Sequence, residues 1–356
     1  MRAARGNQFK TCHHQVTNFG RRSYLYQTFP RFMFADRHAF QGVFFDYSIE
    51  GNAYYAKHSN RPFYVSKTSL LRDEEKQIGY KIDEGYRDFL EKSFSDSLKK
   101  SQEALGNVPD MPEAHILQAL SLWYLQDLRA ALEGFLKAIE IDPNSVRSMV
   151  HLGTILTLFK SFDTALEVFD HTLELDPNFS EALLARGGLL HYVGRNEEAL
   201  DNFKKALDCQ PGNPHALACA GTVTYMLEND PGAAFAYIDA ALGMEPRFLE
   251  AYLSKGMILA CLGKHEEEVD CYQAGLSIMP DSSELNYRLG QLLFSSKKLE
   301  EAVIYLERAD TFDMFDTRAL TALCKLLTIL GREQEAVERF RERVLWAQSS
   351  GMGATQ

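Results

Sequence analysis

Six prolines, Pro109, Pro143, Pro177, Pro211, Pro246 and Pro280, divide the chain at intervals of 34, 34, 34, 35 and 34 residues. Around them one phrase returns: Glu140-Ile-Asp-Pro-Asn144, Glu174-Leu-Asp-Pro-Asn178 and, more loosely, Asp208-Cys-Gln-Pro-Gly212. A fixed period of this length marks a stacked array, in which each unit buries its apolar face only against its neighbours. The period therefore dictates what individual positions must do.

With each unit numbered so that its closing proline is position 32, position 8 reads Gly85, Ala119, Gly153, Gly187, Gly221, Gly256, Gly290 and Cys324. Position 20 reads Ser97, Ala131, Ala165, Ala199, Ala234, Glu268, Ala302 and Ala336, and position 27 is small from Ala104 to Ala309 before ending on Arg343. Position 24 is bulky in seven of eight units: Phe135, Phe169, Phe203, Ile238, Tyr272, Leu306 and Phe340. Small residues facing large ones are how two helices interdigitate at close range.

This pattern resembles the tetratricopeptide repeat family over residues 78–347. The resemblance implies an all-α solenoid of about eight helix-turn-helix units wound into a right-handed superhelix. Two units depart from it. Met314 replaces the proline of the seventh, and the first has Ser97 and Ser101 where others have alanine and a ring. In the last helix the run Glu338-Arg-Phe-Arg-Glu-Arg343 is charged, and Arg343 implies that no further helix packs there.

In this family the concave groove is lined by positions 2, 5, 9, 12 and 13 of each first helix. The Lys, Asn and Arg clamp of chaperone-binding members has no counterpart here, since position 6 reads Leu117, His151, Ala185, Cys219, Ser254, Arg288 and Ala322. The asparagine ladder of sugar-transferase relatives is missing from the same positions. The expected peptide-binding groove is instead apolar, small and aromatic: Leu120, Trp123, Tyr124, Thr154, Thr157, Leu158, Gly188, His191, Tyr192, Thr222, Tyr225, Met226 and Met257. Such a lining suits an apolar helix or extended segment, although part of it packs between helices. His115, His151, His191 and His215 read as helix histidines rather than ligands.

The net charge of −11 hides an asymmetry. Residues 1–70 carry ten Lys or Arg against Asp36, Asp46 and Glu50, which leaves −18 for the remainder. An acidic array disfavours nucleic acid, whose binding needs clustered cations, and favours a basic or neutral protein partner. The cysteines Cys209, Cys219, Cys261, Cys271 and Cys324 fall inside repeats without a C-x-x-C spacing, so they read as small buried thiols in a reducing compartment. The charge-free stretch from Cys209 to Leu227 contains Pro211, Gly212 and Pro214, and no membrane span is expected.

Residues 1–30 form a basic leader that lacks the uninterrupted apolar core of a secretory signal. Being Arg-rich and free of acid before Asp36, it keeps a mitochondrial address open beside the cytoplasmic one. Cys12, His13 and His14 are too close together to complete a tetrahedral metal site. Residues 31–77 hold a small aromatic segment and a lead-in helix, with short strands expected in the runs 43–49, 53–56 and 63–65. That ribbon is expected to pack on the first repeats, as a permanent cap in preference to a displaceable gate, with a separate binding module built on its aromatics as the alternative, and residues 348–356 form a tail. No phosphate loop, nucleophile elbow or H-E-x-x-H is present, and no cofactor is expected. Asn178-Phe-Ser180 matches a glycosylation acceptor but is a repeat turn. The chain thus reads as a non-enzymatic protein-interaction scaffold. The alternatives are a structural subunit of a permanent assembly, or an enzyme using His13, His38 or His58 of the leader.

Overall fold

The structure, a computed structural model, describes residues 73–314 and 316–349. The basic leader, the expected ribbon and its contacts, and the leader histidines all lie outside the described residues. Sixteen helices and no strand occur among the described residues. They run as eight pairs: α1 (Asp73–Leu90) with α2 (Phe94–Asn107), α3 (Pro112–Tyr124) with α4 (Leu128–Ile141), α5 (Val146–Leu158) with α6 (Phe162–Leu175), and α7 (Ser180–Tyr192) with α8 (Asn196–Cys209). Then come α9 (Pro214–Glu228) with α10 (Pro231–Met244), α11 (Leu249–Cys261) with α12 (His265–Ile278), α13 (Ser283–Ser295) with α14 (Leu299–Phe312), and α15 (Thr317–Ile329) with α16 (Glu333–Ser349).

The recurring Asp-Pro-Asn phrase is the turn between pairs. Asp142 Oδ1 accepts the Asn144 amide at 3.1 Å while its carbonyl accepts the Ser145 amide at 3.2 Å. Asp176 repeats both bonds with Asn178 and Phe179. Proline at the second place of such a turn presets φ and breaks the helix. The turn within each pair uses a different device, a left-handed residue: Lys92, Gln126, Lys160, Gly194, Asn229, Gly263, Lys297 and Gly331 all have positive φ. The extra residue in the fifth unit is absorbed here, where Asn229 is left-handed and Asp230 caps α10 by accepting the Gly232 and Ala233 amides. Pro231 stands in the first turn of α10, where its missing N–H costs nothing.

Inside each pair the small and large positions meet. A methyl built on Gly153 would lie 2.6 Å from Phe169 Cε1, one on Gly187 2.6 Å from Phe203 Cε1, and one on Gly290 2.8 Å from Leu306 Cγ. Glycine is required at these positions because a bulky side chain of the second helix, a ring at Phe169 and Phe203 and a leucine at Leu306, occupies the place of a side chain. Gly85 instead meets Leu117 of the following unit, because Ser101 supplies no ring. Ser97 and Ser101 are buried nonetheless, Ser101 Oγ donating to the Leu98 carbonyl and Ser121 Oγ standing 2.9 Å from Ser97 Oγ. Glu268, the one charged residue at the small position 20, is buried as well. Burial raises its pKa, while bonds from Tyr272 and His265 work against that rise.

Ala165 and Ala199 have no exposed surface. Ala199→Leu should therefore cost on the order of 1–3 kcal/mol by overpacking the crossing. A lowered urea midpoint measures this, and an unchanged midpoint for both alanines would contradict the packing described.

The ends differ from the middle. Arg343 is mostly buried, pairs with Asp310 and donates to the Met314 carbonyl, which ties α16 back onto α14. Every substantial contact between helices joins elements no more than two places apart in the chain.

Candidate functional site

The face made by the first helices is the candidate surface, and the structure divides the expected groove residues in two. Leu120, Trp123, Thr154 and Thr222 are buried, as are Thr157 and Gly188. Trp123 packs edge-on to Phe135 and His151. The threonines turn inward to their own helices, Thr154 Oγ1 donating to the Val150 carbonyl at 2.8 Å and Thr222 Oγ1 to Ala218 at 3.0 Å. These residues hold the stack together and present nothing to a ligand. Tyr124, Leu158, His191, Tyr192, Tyr225, Met226 and Met257 are half-buried. Tyr124 stacks on Phe94 with centroids 4.4 Å apart, and Tyr192 packs against Phe162 at 5.2 Å.

The histidines of this face are packing groups, and burial lowers the pKa of three of them, His151, His191 and His215. Burial, with a smaller push from Arg147, holds His151 down to about 3, and its ring stacks on Phe135 at 5.1 Å. Burial takes His215 down to about 4 against Phe248. His191 is lowered by burial and partly restored by Asn196, 2.7 Å from its Nδ1. His115 donates from Nε2 to the Pro109 carbonyl at 2.8 Å.

Sequence reasoning missed a cleft at the far end of the same face. Between α13 and α15 lies a cavity of about 680 Å³, walled by Tyr287, Gln291 and Phe294 on one side and by Arg318, Thr321, Lys325, Thr328 and Ile329 on the other. These are groove positions of the last two units, 34 residues apart. The wall is mainly apolar and open, Phe294 and Ile329 being 38% and 61% exposed.

Its polar floor is fixed. Gln291 Nε2 donates to the Tyr287 hydroxyl at 2.6 Å, and the Arg318 guanidinium lies 4.9 Å from the centre of the Tyr287 ring. Arg318 is held by Glu284 at 2.8 Å and by Asp316 at 2.7 Å, while Glu284 also takes Arg288 at 2.5 Å. Burial raises the Tyr287 hydroxyl, with Arg318 and Arg288 opposing, so it remains a neutral donor. Lys325 is exposed beside this network. A list of single positions hides such a cleft; the signal was the recurrence of Arg288 and Arg318 against Glu284 and Asp316 beside an aromatic.

Among the described residues no group of three or more His, Cys, Asp or Glu is arranged to hold a metal ion. No helix among them is long and apolar enough to cross a membrane.

Eight helix pairs, in which a small residue of the first helix meets a bulky one of the second in most units, define a tetratricopeptide-type solenoid. Models of the tetratricopeptide repeat match residues 112–145, 160–214, 249–282 and 283–313, so the chain carries tetratricopeptide repeats over those stretches. A stretch of 54 residues is 43% identical to the serine/threonine-protein phosphatase T of Trypanosoma brucei brucei (strain 927/4 GUTat10.1). The match covers 15% of this chain and only 11% of that curated relative's length. Among solved structures, the human IFIT1 dimer with PPP-AAAA is similar with a TM-score of 0.54 at 16% identity, over 76% of this chain and 73% of that one. A tetratricopeptide repeat protein from Parabacteroides merdae ATCC 43184 matches with a TM-score of 0.48 at 21% identity, over 65% of this chain and 91% of that one. At 16% identity the likeness to the IFIT1 structure shows the fold alone.

Proposed function

We propose that the array is a non-enzymatic scaffold that receives an apolar helix or extended segment of a protein partner along its first-helix face, anchored in the cleft between α13 and α15. The observation that carries this reading is the cleft itself. It is open, mostly apolar, built from the family's groove positions, and provided with a few fixed polar groups that would orient a bound main chain. Tyr225, Met226 and Met257, half-buried on the same face, extend the surface toward the middle of the array. Methionines and aromatics adapt to segments of varied shape.

The test uses the full chain and apolar peptides selected against it from a displayed random library. Phe294→Ala combined with Ile329→Ala should weaken the selected peptides about tenfold or more, since exposed apolar anchors in a pocket carry most of such binding. An unchanged Kd would remove the cleft from the reading.

The charge of −18 beyond residue 70 supports a basic or neutral partner. For a lysine-flanked version of the selected peptide the association rate should fall as salt is added, and it should exceed that of a glutamate-flanked version at low salt. Faster binding of the acidic version would overturn this part.

A further inference from the structure

In the inner units the bulky residue at position 24 is fully covered, Phe135, Phe169 and Phe203 having 0% exposure, because the next unit's first helix lies over it. In the last unit the same position is Phe340, and it is 59% exposed. Val337 at 48%, Val344 at 40% and Leu345 at 64% extend this patch along α16 at helical spacing. With Arg339 and Arg343 turned back to Glu307 and Asp310, the bare stripe is apolar with charges only on its flank.

We infer that this stripe is the contact surface of a two-fold dimer, in which α16 of one copy packs antiparallel against α16 of a second copy. The sequence of the helix is self-complementary in one register. With the two-fold axis between residues 340 and 341, Val337 of one copy faces Val344 of the other, and Phe340 faces the stem and guanidinium of Arg341 from the second copy. An arginine over an aromatic face is a favourable contact. Glu338 and Arg341 share the same flank, and a two-fold axis brings like flanks together. Each Glu338 then lies within a turn of Arg341 of the second copy, giving two reciprocal ion pairs at the rim. Both residues are exposed, and no ion pair to either is present among the described residues of one chain. A parallel pairing sets equal charges side by side and loses the match. Apolar burial at the centre with paired charges at the rim is the anatomy of a specific interface.

Sedimentation velocity of the full chain across a concentration series tests this. The expected result is a concentration-dependent dimer for the natural sequence and a monomer with unchanged helical circular dichroism for Phe340→Asp. Arg341→Glu alone should weaken the dimer about tenfold or more, and the double change Glu338→Arg with Arg341→Glu should restore it. That reciprocal rescue separates a pairing from a loss of folding. A natural chain that stays monomeric at tens of micromolar overturns the proposal. So does a dimer indifferent to Phe340→Asp, or a double swap that fails to recover what Arg341→Glu lost.

Discussion

Phe203→Ala is expected to lower the unfolding free energy by about 3–5 kcal/mol, the range for removing a fully buried ring from a core that cannot collapse around the gap. The gap is unusually rigid because the ring rests on the backbone of Gly187, which has no side chain to move into it. Phe340→Ala, at the same place in the last repeat, removes a ring that is 59% exposed. In the isolated chain it should cost less than about 1 kcal/mol. Urea unfolding of the two variants at low concentration measures the contrast. Equal costs would mean that position 24 is not buried by stacking. Because stability in such arrays is a sum over neighbouring units, the loss at Phe203 should also appear as faster hydrogen exchange in α7 to α10 before it does at the ends.

Acid should destabilise the array through His151 and His215. Their folded pKa values, about 3 and about 4, lie below the usual histidine value of 6.5. The unfolded chain therefore binds more protons throughout that interval. Stability is fully present above pH 6.5 and is lost as pH falls toward 4 for His215 and 3 for His151. Within the window each histidine contributes a slope of about 1.4 kcal/mol per pH unit. Burial of Glu181 and Glu268 raises their carboxyls, and those two groups act in the opposite direction. The difference between the natural chain and His151→Phe with His215→Phe isolates the histidines, because the acids are common to both. The gap between the two unfolding free energies should be constant above pH 6.5 and move in the variant's favour from pH 7 to 5.5 to 4.5, the variant being the more acid-resistant. Parallel curves would show that neither imidazole is held neutral.

The repeat, its eight pairs and the glycine-to-ring contact were legible in the sequence because each rests on residues at a constant spacing within one unit. Gly187 and Phe203 meet wherever a helix-turn-helix of that length closes. The left-handed turn residue was not legible, since glycine marks it only at Gly194, Gly263 and Gly331. Lys92, Gln126, Lys160 and Lys297 adopt the same strained φ because the paired helices hold them there. The groove was legible only in part. A residue on the first helix can face the ligand or the next unit, and its identity does not decide: Trp123 is buried while Tyr225 is half-buried at the same position. The cleft at α13 and α15 depends on side chains drawn across units, as when Glu284 holds Arg318 at a separation of 34 residues. The charged run around Arg343 implied that no further helix packs there but not the apolar edge beside it, which is bare because Arg343 itself folds inward to Asp310.

The neighbour-only contacts of the stack have a consequence for how the chain is made. Among the described residues no helix awaits a partner from the distant end of the array, so native pairing of the repeats can keep pace with the ribosome. At about 5–20 residues per second a complete 34-residue pair emerges every few seconds, whereas locally connected helical units fold in about microseconds to milliseconds. Each new pair finds its predecessor already folded and covers it. At every moment of the array's synthesis the uncovered apolar surface of the repeats is therefore the face of a single pair, the same in width whether two repeats have appeared or seven. Lengthening such a chain by whole repeats adds stability without adding to the surface that a nascent chain exposes to aggregation.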